Sequence, residues 1–381
     1  MSRLNELIQE LCPNGVEFKK LSMLCDLSRG KVYSKTYISE NPGIYPVYSS
    51  QTENDGELGR ISTYDYDGEY LTWTTDGAYA GTIFHRKGKF SITNVCGLIS
   101  IKSSNILIRF LYYWLSVKAK DYVYKGMGNP KLMSNQIAPI KIPISPLDVQ
   151  NEIVRILDTF TSHAAELQAE LQARKEQYEY YRNKLLTFDK DDKNVKWVKL
   201  KEYAEIGTGS SNTQDELSIG LYPFFVRSQI VRRNNEYEFD ETAIITSGDG
   251  VGVGKIFHYV EGKYALHQRA YRIHVLNEKI IPKFLFHYMR CEFYNYITKN
   301  AYTSSVTSIR KPMLLNFPIP ILSMSEQQRI VSILDKFEAL VNDLTEGLPA
   351  EIAAVQEQYE YYRNKLLTFK DVGTYHGASS T

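Results

Sequence analysis

Residues 248–255 (GDGVGVGK) have the glycine content and the terminal lysine of a loop that binds a phosphate group. A P-loop needs a glycine separated by four residues from a Gly-Lys pair, and a serine or threonine after the lysine. Here Asp249 stands at the first glycine position, and Ile256 follows the lysine. The matching segment 75–84 (TDGAYAGTIF) has no lysine at that place. We therefore predict a glycine-rich turn between strands and not a phosphate site.

Two other combinations resemble catalytic motifs without completing them. Asp249 with Glu261 and Lys263 resembles the acid-x-Lys arrangement of metal-dependent nucleases, but the matching segment 86–89 lacks the second acid. Residues 129–131 (NPK) depart from the Asn/Asp-Pro-Pro-aromatic motif of amino-methyltransferases. Charged turn residues are the better interpretation of both.

The histidines and cysteines show no ligand spacing. His85 and His258 each follow an Ile-Phe pair, and we interpret them as equivalent packing positions. The cysteines lack a CxxC pair and are interpreted as reduced thiols, not as a disulfide framework or a zinc site. Without a nucleophile–base pair either, we predict that the chain has no catalytic residue and no metal site.

The chain repeats itself at a spacing of 173 to 181 residues. Residues 76–85 (DGAYAGTIFH) match residues 249–258 (DGVGVGKIFH), and the thirteen residues EQYEYYRNKLLTF occur unchanged at 176–188 and 357–369. Strand-like stretches rich in β-branched and aromatic residues alternate with glycine turns and helical segments in each half. The predicted fold class is α+β, with two tandem β-rich α+β domains separated by two long helices.

The predicted boundaries follow from these patterns. They are a first globular domain at 1–147, a first spacer helix at 148–190, a second globular domain at 191–324, a second spacer helix at 325–371 with a kink near 347–349, and a flexible tail at 372–381. The kink is predicted because an extra four-residue step in the apolar pattern coincides with Gly347 and Pro349.

The spacer helices are predicted from apolar residues that recur at alternating steps of four and three. Residues 150–187 contain neither glycine nor proline. Because both helices carry the same apolar seam, we expect them to pair in a coiled coil, and the order of the repeat favours an antiparallel pair with a pseudo-twofold. The predicted coiled-coil core consists of Ile153, Leu157, Phe160, Leu167, Leu171, Tyr178, Tyr181, Leu185, Ile330, Leu334, Phe337, Leu344, Tyr359, Tyr362 and Leu366.

The charge distribution indicates binding of an anion. The net charge is +4 over residues 1–146, −4 over 147–192, +5 over 193–322 and −4 over 323–381. Two basic blocks suggest two anion-binding units. Polar loops that differ between the halves, on a framework that matches, suit DNA reading, although ordinary solvated loops are also polar. The predicted DNA-binding residues are Lys31, Tyr48, Ser49, Ser50, Gln51, Thr75, Asp76, Lys131, Ser134, Asn135, Arg227, Ser228, Gln229, Arg232, Arg233, Ser247, Asp249, Ser304, Ser305 and Arg310.

Together these features resemble the specificity subunits of Type I restriction–modification systems. The resemblance covers Leu4 to about Phe369. It rests on the tandem domains, the GxYP and DGxxxG stretches, the joins from an IPI strand to a helix at Gln150 and Gln327, the segment 346–352 (EGLPAEI) and the QYEYYRNKLL repeats. It implies that each globular domain is a target-recognition domain reading half of a split, asymmetric DNA target, that the helices set the spacer, and that this subunit is itself non-catalytic.

The resemblance also implies partners and cofactors. The partners would be double-stranded DNA, two modification subunits that methylate adenine and two restriction subunits. S-adenosylmethionine, ATP and Mg would be bound by those subunits, and no cofactor by this chain. No apolar run reaches the ~18 residues of a membrane span, so we expect a cytoplasmic location and no membrane partner.

The heptad seam does not explain why the outer face of the thirteen-residue repeat is also identical. Recombination between the copies is one account. Docking of two copies of one partner is the other, with the docking residues predicted to be Gln177, Arg182, Lys184, Gln358, Arg363 and Lys365.

Two other function classes stay open. A DNA-processing enzyme with an unrecognised site would be active as the lone chain. A coiled-coil adaptor that binds only proteins would show no steep dependence of DNA affinity on salt.

Overall fold

The computed structural model describes residues 2–126, 128–193, 195–250, 252–299, 308–343 and 346–372. The chain forms two compact units, with unit 1 made of Met1–Glu166 and Ala353–Thr381 and unit 2 made of Leu167–Ile352. Each unit thus combines a globular part with segments of both spacer regions. Ser304, Ser305, Leu344 and the predicted tail from residue 373 onward lie outside the described residues.

The elements follow the internal repeat. In the first half they are α1 (Ser2–Leu11), β1 (Glu17–Lys20), α2 (Leu21–Leu24), β2 (Cys25–Arg29), α3 (Lys35–Glu40), β3 (Pro42–Tyr48), β4 (Glu57–Ile61), β5 (Tyr66–Thr74), β6 (Ile83–Ile92), β7 (Cys96–Ile101), α4 (Ile108–Lys118), α5 (Ser134–Ile137), β8 (Lys141–Ile144) and α6 (Leu147–Leu186). In the second half they are β9 (Lys196–Lys199), β10 (Ala204–Thr208), β11 (Tyr222–Phe225), β12 (Arg232–Asn234), β13 (Phe239–Ser247), β14 (Phe257–Leu266), β15 (Ala270–Val275), α7 (Pro282–Lys299), α8 (Lys311–Leu315), β16 (Pro318–Ile321), α9 (Met324–Asn342) and α10 (Leu348–Leu366).

The main sheets of the two units share one topology. The strand order is β2–β7–β5–β6–β3–β4 in unit 1 and β10–β15–β13–β14–β11–β12 in unit 2. In each sheet the pairing of β3 with β6, or of β11 with β14, is parallel, and the other pairings between the described strands are antiparallel. Strands β6 and β14 also show the same succession of buried and exposed residues along their length. The predicted α+β fold class with an internal repeat is confirmed.

Strand register shows that the interpretation of His85 and His258 as equivalent positions is wrong. His85 is the third residue of β6, whereas His258 is the second residue of β14 and Tyr259 is the third. Successive side chains of a strand point to opposite faces, so the two histidines face opposite sides of their sheets. The connection that precedes β14 is one residue longer than the one that precedes β6, which a direct match of the letters does not show.

The glycine-rich segment after β13 is a hairpin turn, because it joins the antiparallel strands β13 and β14. A P-loop would instead lead from a strand into a helix. Gly250 and Gly254 have φ values of 89° and 72°, a region that glycine adopts without strain. Glu261 lies opposite Thr242, seven residues before Asp249 along the chain, so the nuclease-like acids are about 20 Å apart.

In unit 1, the spacer helices pack in antiparallel orientation. Ile153 and Leu157 of α6 are fully buried in the globular core, and further along α6 the ring of Phe160 stacks on Tyr362 of α10 at 5.5 Å. Leu366, at the end of α10, returns to the same core. Helix α6 therefore runs away from the core while α10 runs towards it.

Unit 2 repeats this arrangement with α9 in the place of α6. Ile330 and Leu334 are buried in the globular core, Phe337 stacks on Tyr181 of α6 at 5.8 Å, and Leu186 ends α6 inside the core. Where the sequence predicts a kink, α9 ends at Asn342 and α10 begins at Leu348. No helix within the described ranges is long and apolar enough to cross a membrane.

A buried glutamine joins each spacer helix to its globular core. Gln150 of α6 accepts a hydrogen bond from Leu107 N (2.8 Å) and donates to Asn105 O (2.9 Å) and Ser145 O (2.7 Å). Gln327 of α9 makes the three corresponding bonds at 2.8, 2.9 and 3.0 Å. A glutamine amide offers both a donor and an acceptor, which is what these otherwise unpaired backbone groups need.

The first and last described segments of the chain meet in unit 1. Val16 N donates to Lys370 O (2.8 Å), and Val372 N donates to Val16 O (3.2 Å). Leu4 of α1 is buried in the same core as Leu366. The segments around Val16 and Lys370 thus pair within unit 1.

Candidate nucleic-acid interface

In unit 1, polar loops meet at one end of the main sheet. We call the residues 29–31, 48–51, 75–77, 93–95 and 131–135 the loop face of unit 1. Backbone bonds hold the loops together: Thr93 N donates to Tyr48 O (2.8 Å), Leu132 N to Thr75 O (2.8 Å) and Lys31 N to Ile92 O (3.1 Å).

The loop face of unit 2 comprises residues 208–212, 225–229, 247–250, 267–269 and 308–310, and it has the same backbone framework. His267 N donates to Phe225 O (2.9 Å), Ile309 N to Gly248 O (2.7 Å) and Ser211 N to Leu266 O (3.2 Å). Residues that make corresponding backbone hydrogen bonds occupy equivalent positions in the two units. The two faces therefore differ in their side chains and not in their backbone framework.

A glycine permits the close approach of two loops in each face. A Cβ atom on Gly30 would lie 1.9 Å from Ile92 O, and one on Gly209 would lie 1.8 Å from Leu266 O. No side chain fits at such distances. The end of β2 can thus lie against the turn after β6, and the end of β10 can lie against the turn after β14.

Arg29 connects three loops of unit 1. Its Nη2 donates to Asn94 O (2.7 Å) and to Thr75 Oγ1 (3.0 Å), and its Nε donates to Asn94 O (3.1 Å). Thr75 is buried and donates to Val95 O (2.7 Å), and the Ser50 hydroxyl donates to the same carbonyl. Ser50 and Thr75 therefore fix the loops, and they present little polar surface of their own.

Other predicted residues of unit 1 are also engaged within the unit. Lys31 forms an ion pair with Asp65, and the Arg86 guanidinium lies 3.6 Å from the centre of the Tyr48 ring. Ser49 and Gln51 likewise bond to Thr93 Oγ1 and Glu57 O. Asp76 and Lys131 are brought together by a backbone bridge, and Ser134 and Asn135 begin α5. Lys131 and Asn135 are exposed.

Unit 2 gathers charged side chains around Asp249. Arg227 Nη1 donates to Asp249 Oδ1 (2.6 Å), and Arg269 Nη1 donates to Asp249 Oδ2 (3.3 Å). Partial burial opposes ionisation of this carboxyl, but the hydrogen bonds and charges of the two arginines outweigh it and hold its pKa below the usual range. Asp249 is thus an anion that positions two cations.

The remaining predicted residues of unit 2 differ in their surroundings. Ser247 is buried and donates to Asp249 O (2.7 Å), and Ser228 O accepts from His258 Nε2 (2.9 Å). Arg232 pairs with Glu216 at 3.0 Å. Gln229, Arg233 and Arg310 are exposed.

Sequence reasoning missed four residues of the loop faces: Arg29, Asn94, Gln268 and Arg269. Arg29 ends a strand that carries no turn signal. Residues 267–270 (HQRA) occupy the place of residues 93–96 (TNVC). The greater polarity of the second segment, within a framework that matches, is a sequence signal that could have identified Gln268 and Arg269 as candidate site residues.

The thirteen-residue repeat has matching surroundings in the two units. The guanidinium of Arg182 lies 5.7 Å from the centre of the Tyr178 ring, and that of Arg363 lies 5.3 Å from the centre of the Tyr359 ring. The Nε atoms of both arginines are enclosed and have no partner among the described residues. Gln177 is half-buried and accepts from Arg174, whereas Gln358, Lys184 and Lys365 are exposed.

The end of each repeat also lines a groove. In unit 1 a cavity of about 520 Å³ is lined by Phe369, Trp114 and Phe18, and in unit 2 one of about 470 Å³ is lined by the corresponding Phe188, Tyr288 and Trp197. The same segment thus builds an open, aromatic groove twice.

One cluster in unit 2 has residue types that can bind a metal ion. His287, Asp335 and Glu338 bring one ligand atom each within 4.8 Å of one another. However, Arg290 donates to Glu338 (2.6 Å) and Lys283 Nζ lies 4.0 Å from Asp335 Oδ1, so cationic side chains already neutralise both carboxylates. The cluster is an ion-pair network between α7 and α9.

Comparisons with known proteins agree with this architecture. The family model described as "Type I restriction modification DNA specificity domain" matches residues 13–177 and 192–354. A Mycoplasma pneumoniae protein named as a type I specificity subunit is 32% identical over 91% of this chain and 96% of its own length. The specificity subunit of the type I restriction enzyme MpnII from the same organism is 41% identical over 45% of this chain and 52% of its own.

Solved structures show the same fold. The S subunit of a Type I restriction–modification system from M. genitalium has a TM-score of 0.64 at 15% identity, over 94% of this chain and 97% of its own. A chain from a study of complex assembly and conformational transition in the type I system has a TM-score of 0.60 at 15% identity, over 94% and 98%. On the family match and the full-length relative, this chain belongs to the family of Type I restriction–modification specificity subunits.

Proposed function

We propose that each unit reads one half of a bipartite, asymmetric DNA target through its loop face. One observation carries this proposal: the two loop faces share a backbone framework but differ in side chains at equivalent positions. Ser50 and Val95 of unit 1 occupy the places of Arg227 and Arg269 in unit 2. Different side-chain donors on one backbone framework would contact different bases, because each base pair presents its own pattern of hydrogen-bond donors and acceptors in the major groove.

Exposed basic residues on or next to the loop faces would hold the DNA backbone. Lys131 in unit 1 and Arg233 and Arg310 in unit 2 are exposed. Phosphate contacts fix the register of a protein on DNA, and base contacts then supply the specificity. Arg and Lys at the rim of each loop face would make the phosphate contacts.

The spacer helices would set the distance between the half-sites and dock two modification subunits. The identical repeat supports this part, since it gives each unit the same exposed Lys184 or Lys365 and the same aromatic groove. Two restriction subunits would complete a nuclease complex. S-adenosylmethionine, ATP and Mg would be bound by these partners, and this chain would recognise the target without catalysing a reaction.

Methylome sequencing tests the bipartite reading. Cells that carry this chain with its cognate modification subunit should show one non-palindromic methyladenine motif in two parts. Exchanging residues 1–146 for those of a relative should change one part and leave the other unchanged. If both parts change, or neither does, the assignment of one reader to each unit is wrong.

The salt dependence of DNA binding separates this function from that of a protein-binding adaptor. If the assembled complex neutralises about six phosphates, the logarithm of its affinity should fall with the logarithm of salt concentration at a slope of about −5. A slope near zero would favour the adaptor, and DNA cleavage by the purified lone chain would favour an enzyme.

A further inference from the structure

Arg227 and Arg269 approach the carboxylate of Asp249 from two different loops of unit 2. Each carboxylate oxygen accepts one hydrogen bond, at 2.6 Å from Arg227 and at 3.3 Å from Arg269. A guanidinium has five N–H groups in a planar fork. No acceptor among the described residues takes the remaining side-chain N–H groups of either arginine. Asp249 therefore holds one end of each guanidinium and leaves most of the N–H donors for a ligand.

The backbone framework of the loop face does not require the trio formed by Arg227, Arg269 and Asp249. Unit 1 builds the same backbone arrangement with Ser50 and Val95 at the arginine positions, and its Asp76 forms no ion pair with any residue that the structure describes. The arginine side chains are 39% and 61% exposed, and the Asp249 side chain is 27% exposed. An ion pair this open contributes little to stability. Recognition accounts for the trio better than folding does.

The geometry selects one base. Guanine presents two acceptors, O6 and N7, side by side in the major groove, and an arginine fork donates to both at once. Building on the reading function proposed above, we propose that unit 2 reads guanine through Arg227 and Arg269, with Asp249 as the positioning residue that orients both forks. A phosphate also accepts a guanidinium fork, but a phosphate contact carries no sequence information, so the dependence of binding on the base distinguishes the two ligands.

Unit 1 lacks this arrangement and should read a different half-site. Its arginine on the loop face is Arg29, which comes from the end of β2 and is held by Asn94 O and Thr75 Oγ1. The equivalent of Arg29 in unit 2 is Thr208, at the end of β10. The arginines of the two faces thus stand on different strands and loops.

The first test uses the unaltered protein in its complex with the modification subunit. Exchange of a domain assigns one half of the methylated motif to unit 2, and each guanine of that half, on either strand, is then replaced by 7-deazaguanine. This base lacks the N7 acceptor and keeps O6. We expect about 10-fold weaker binding for at least one guanine. A half-site without guanine, or one whose guanines all tolerate the replacement, overturns the proposal.

The second test uses the variants Arg269→Lys and Asp249→Asn in the same complex. Lysine keeps the positive charge without the fork, and asparagine removes the charge that positions both arginines. We expect about 10- to 100-fold less discrimination at one guanine of the unit 2 half, with the other half unchanged. As a matched control, Arg329→Lys alters an arginine paired with Glu326 on α9 at 2.7 Å and should leave the motif intact.

The outcomes separate this proposal from the function on which it rests. Equal weakening of methylation at all sequences would indicate phosphate contacts and overturn guanine reading, as would an unchanged motif. A wild-type complex with no bipartite motif at all would instead contradict the proposed function. If a variant does not assemble, the 7-deazaguanine measurement on the unaltered protein decides.

Discussion

At the scale of residues, the two units differ where the globular core meets a spacer helix. Tyr113 of unit 1 donates to Asp158 of α6, and at the equivalent place in unit 2 Nε2 of His287 bonds Asp335 of α9 (2.7 Å). His287 is fully buried, and its Nδ1 has no partner among the described residues. Burial lowers the pKa of His287, and Asp335 opposes this only partly, because protonation would add a buried donor without an acceptor.

This pKa shift predicts a loss of stability at mildly acidic pH. A base whose pKa is lower in the folded state takes up its proton more readily when unfolded, so the stabilisation is complete above about pH 6.5 and is lost as the pH falls through the folded pKa. We expect a lower Tm at pH 5.5 than at pH 7.5. His287→Tyr, which copies Tyr113 of unit 1, should reduce that difference. An equal difference in the variant would contradict the assignment to His287.

At the scale of elements, the buried glutamines connect each spacer helix to its core. Gln150→Leu would leave Leu107 N, Asn105 O and Ser145 O without partners in a buried place. We expect a loss of about 2–3 kcal/mol in the free energy of unfolding, measured with urea. The exposed Gln328, next to the buried Gln327, provides a control, since Gln328→Leu should change stability by less than about 0.5 kcal/mol. Similar effects of both variants would rule out this role for the glutamine.

The same elements show what the sequence could predict. The heptad steps identify Ile153, Leu157, Ile330 and Leu334 as buried. They miss Leu186 and its counterpart Leu367, which are also buried, because the end of each helix packs on a globular core as well as on another helix, and a single apolar stripe describes only one of these contacts.

The loop faces were harder to predict, because they depend on register between distant strands. Arg269 and Asp249 stand twenty positions apart, and they meet only because β13 pairs with β15. His258 was matched to His85 because the letters of the sequence do not show that the connection before β14 is one residue longer than the connection before β6.

At the scale of the whole molecule, the identity of the two thirteen-residue copies extends beyond what internal packing requires. Part of it is internal packing, since Arg182 and Arg363 cover buried or half-buried tyrosine rings in the same way. Packing does not explain Tyr180 and Tyr361, whose side chains are 61% and 60% exposed. Identity at exposed positions is what two docking sites for one partner require.

Charge reversal at the exposed lysines tests this docking directly. Arg182→Glu would also disturb the packing on Tyr178, whereas Lys184 and Lys365 are exposed and their reversal should leave the Tm unchanged. Native mass spectrometry of the complex should show two modification subunits with the unaltered chain, one with Lys184→Glu or Lys365→Glu, and none with both. Lys175→Glu lies on the same helix just outside the repeat, and it should leave both subunits bound. Two bound subunits in the double variant would place the docking surface elsewhere and leave recombination as the better account of the repeat.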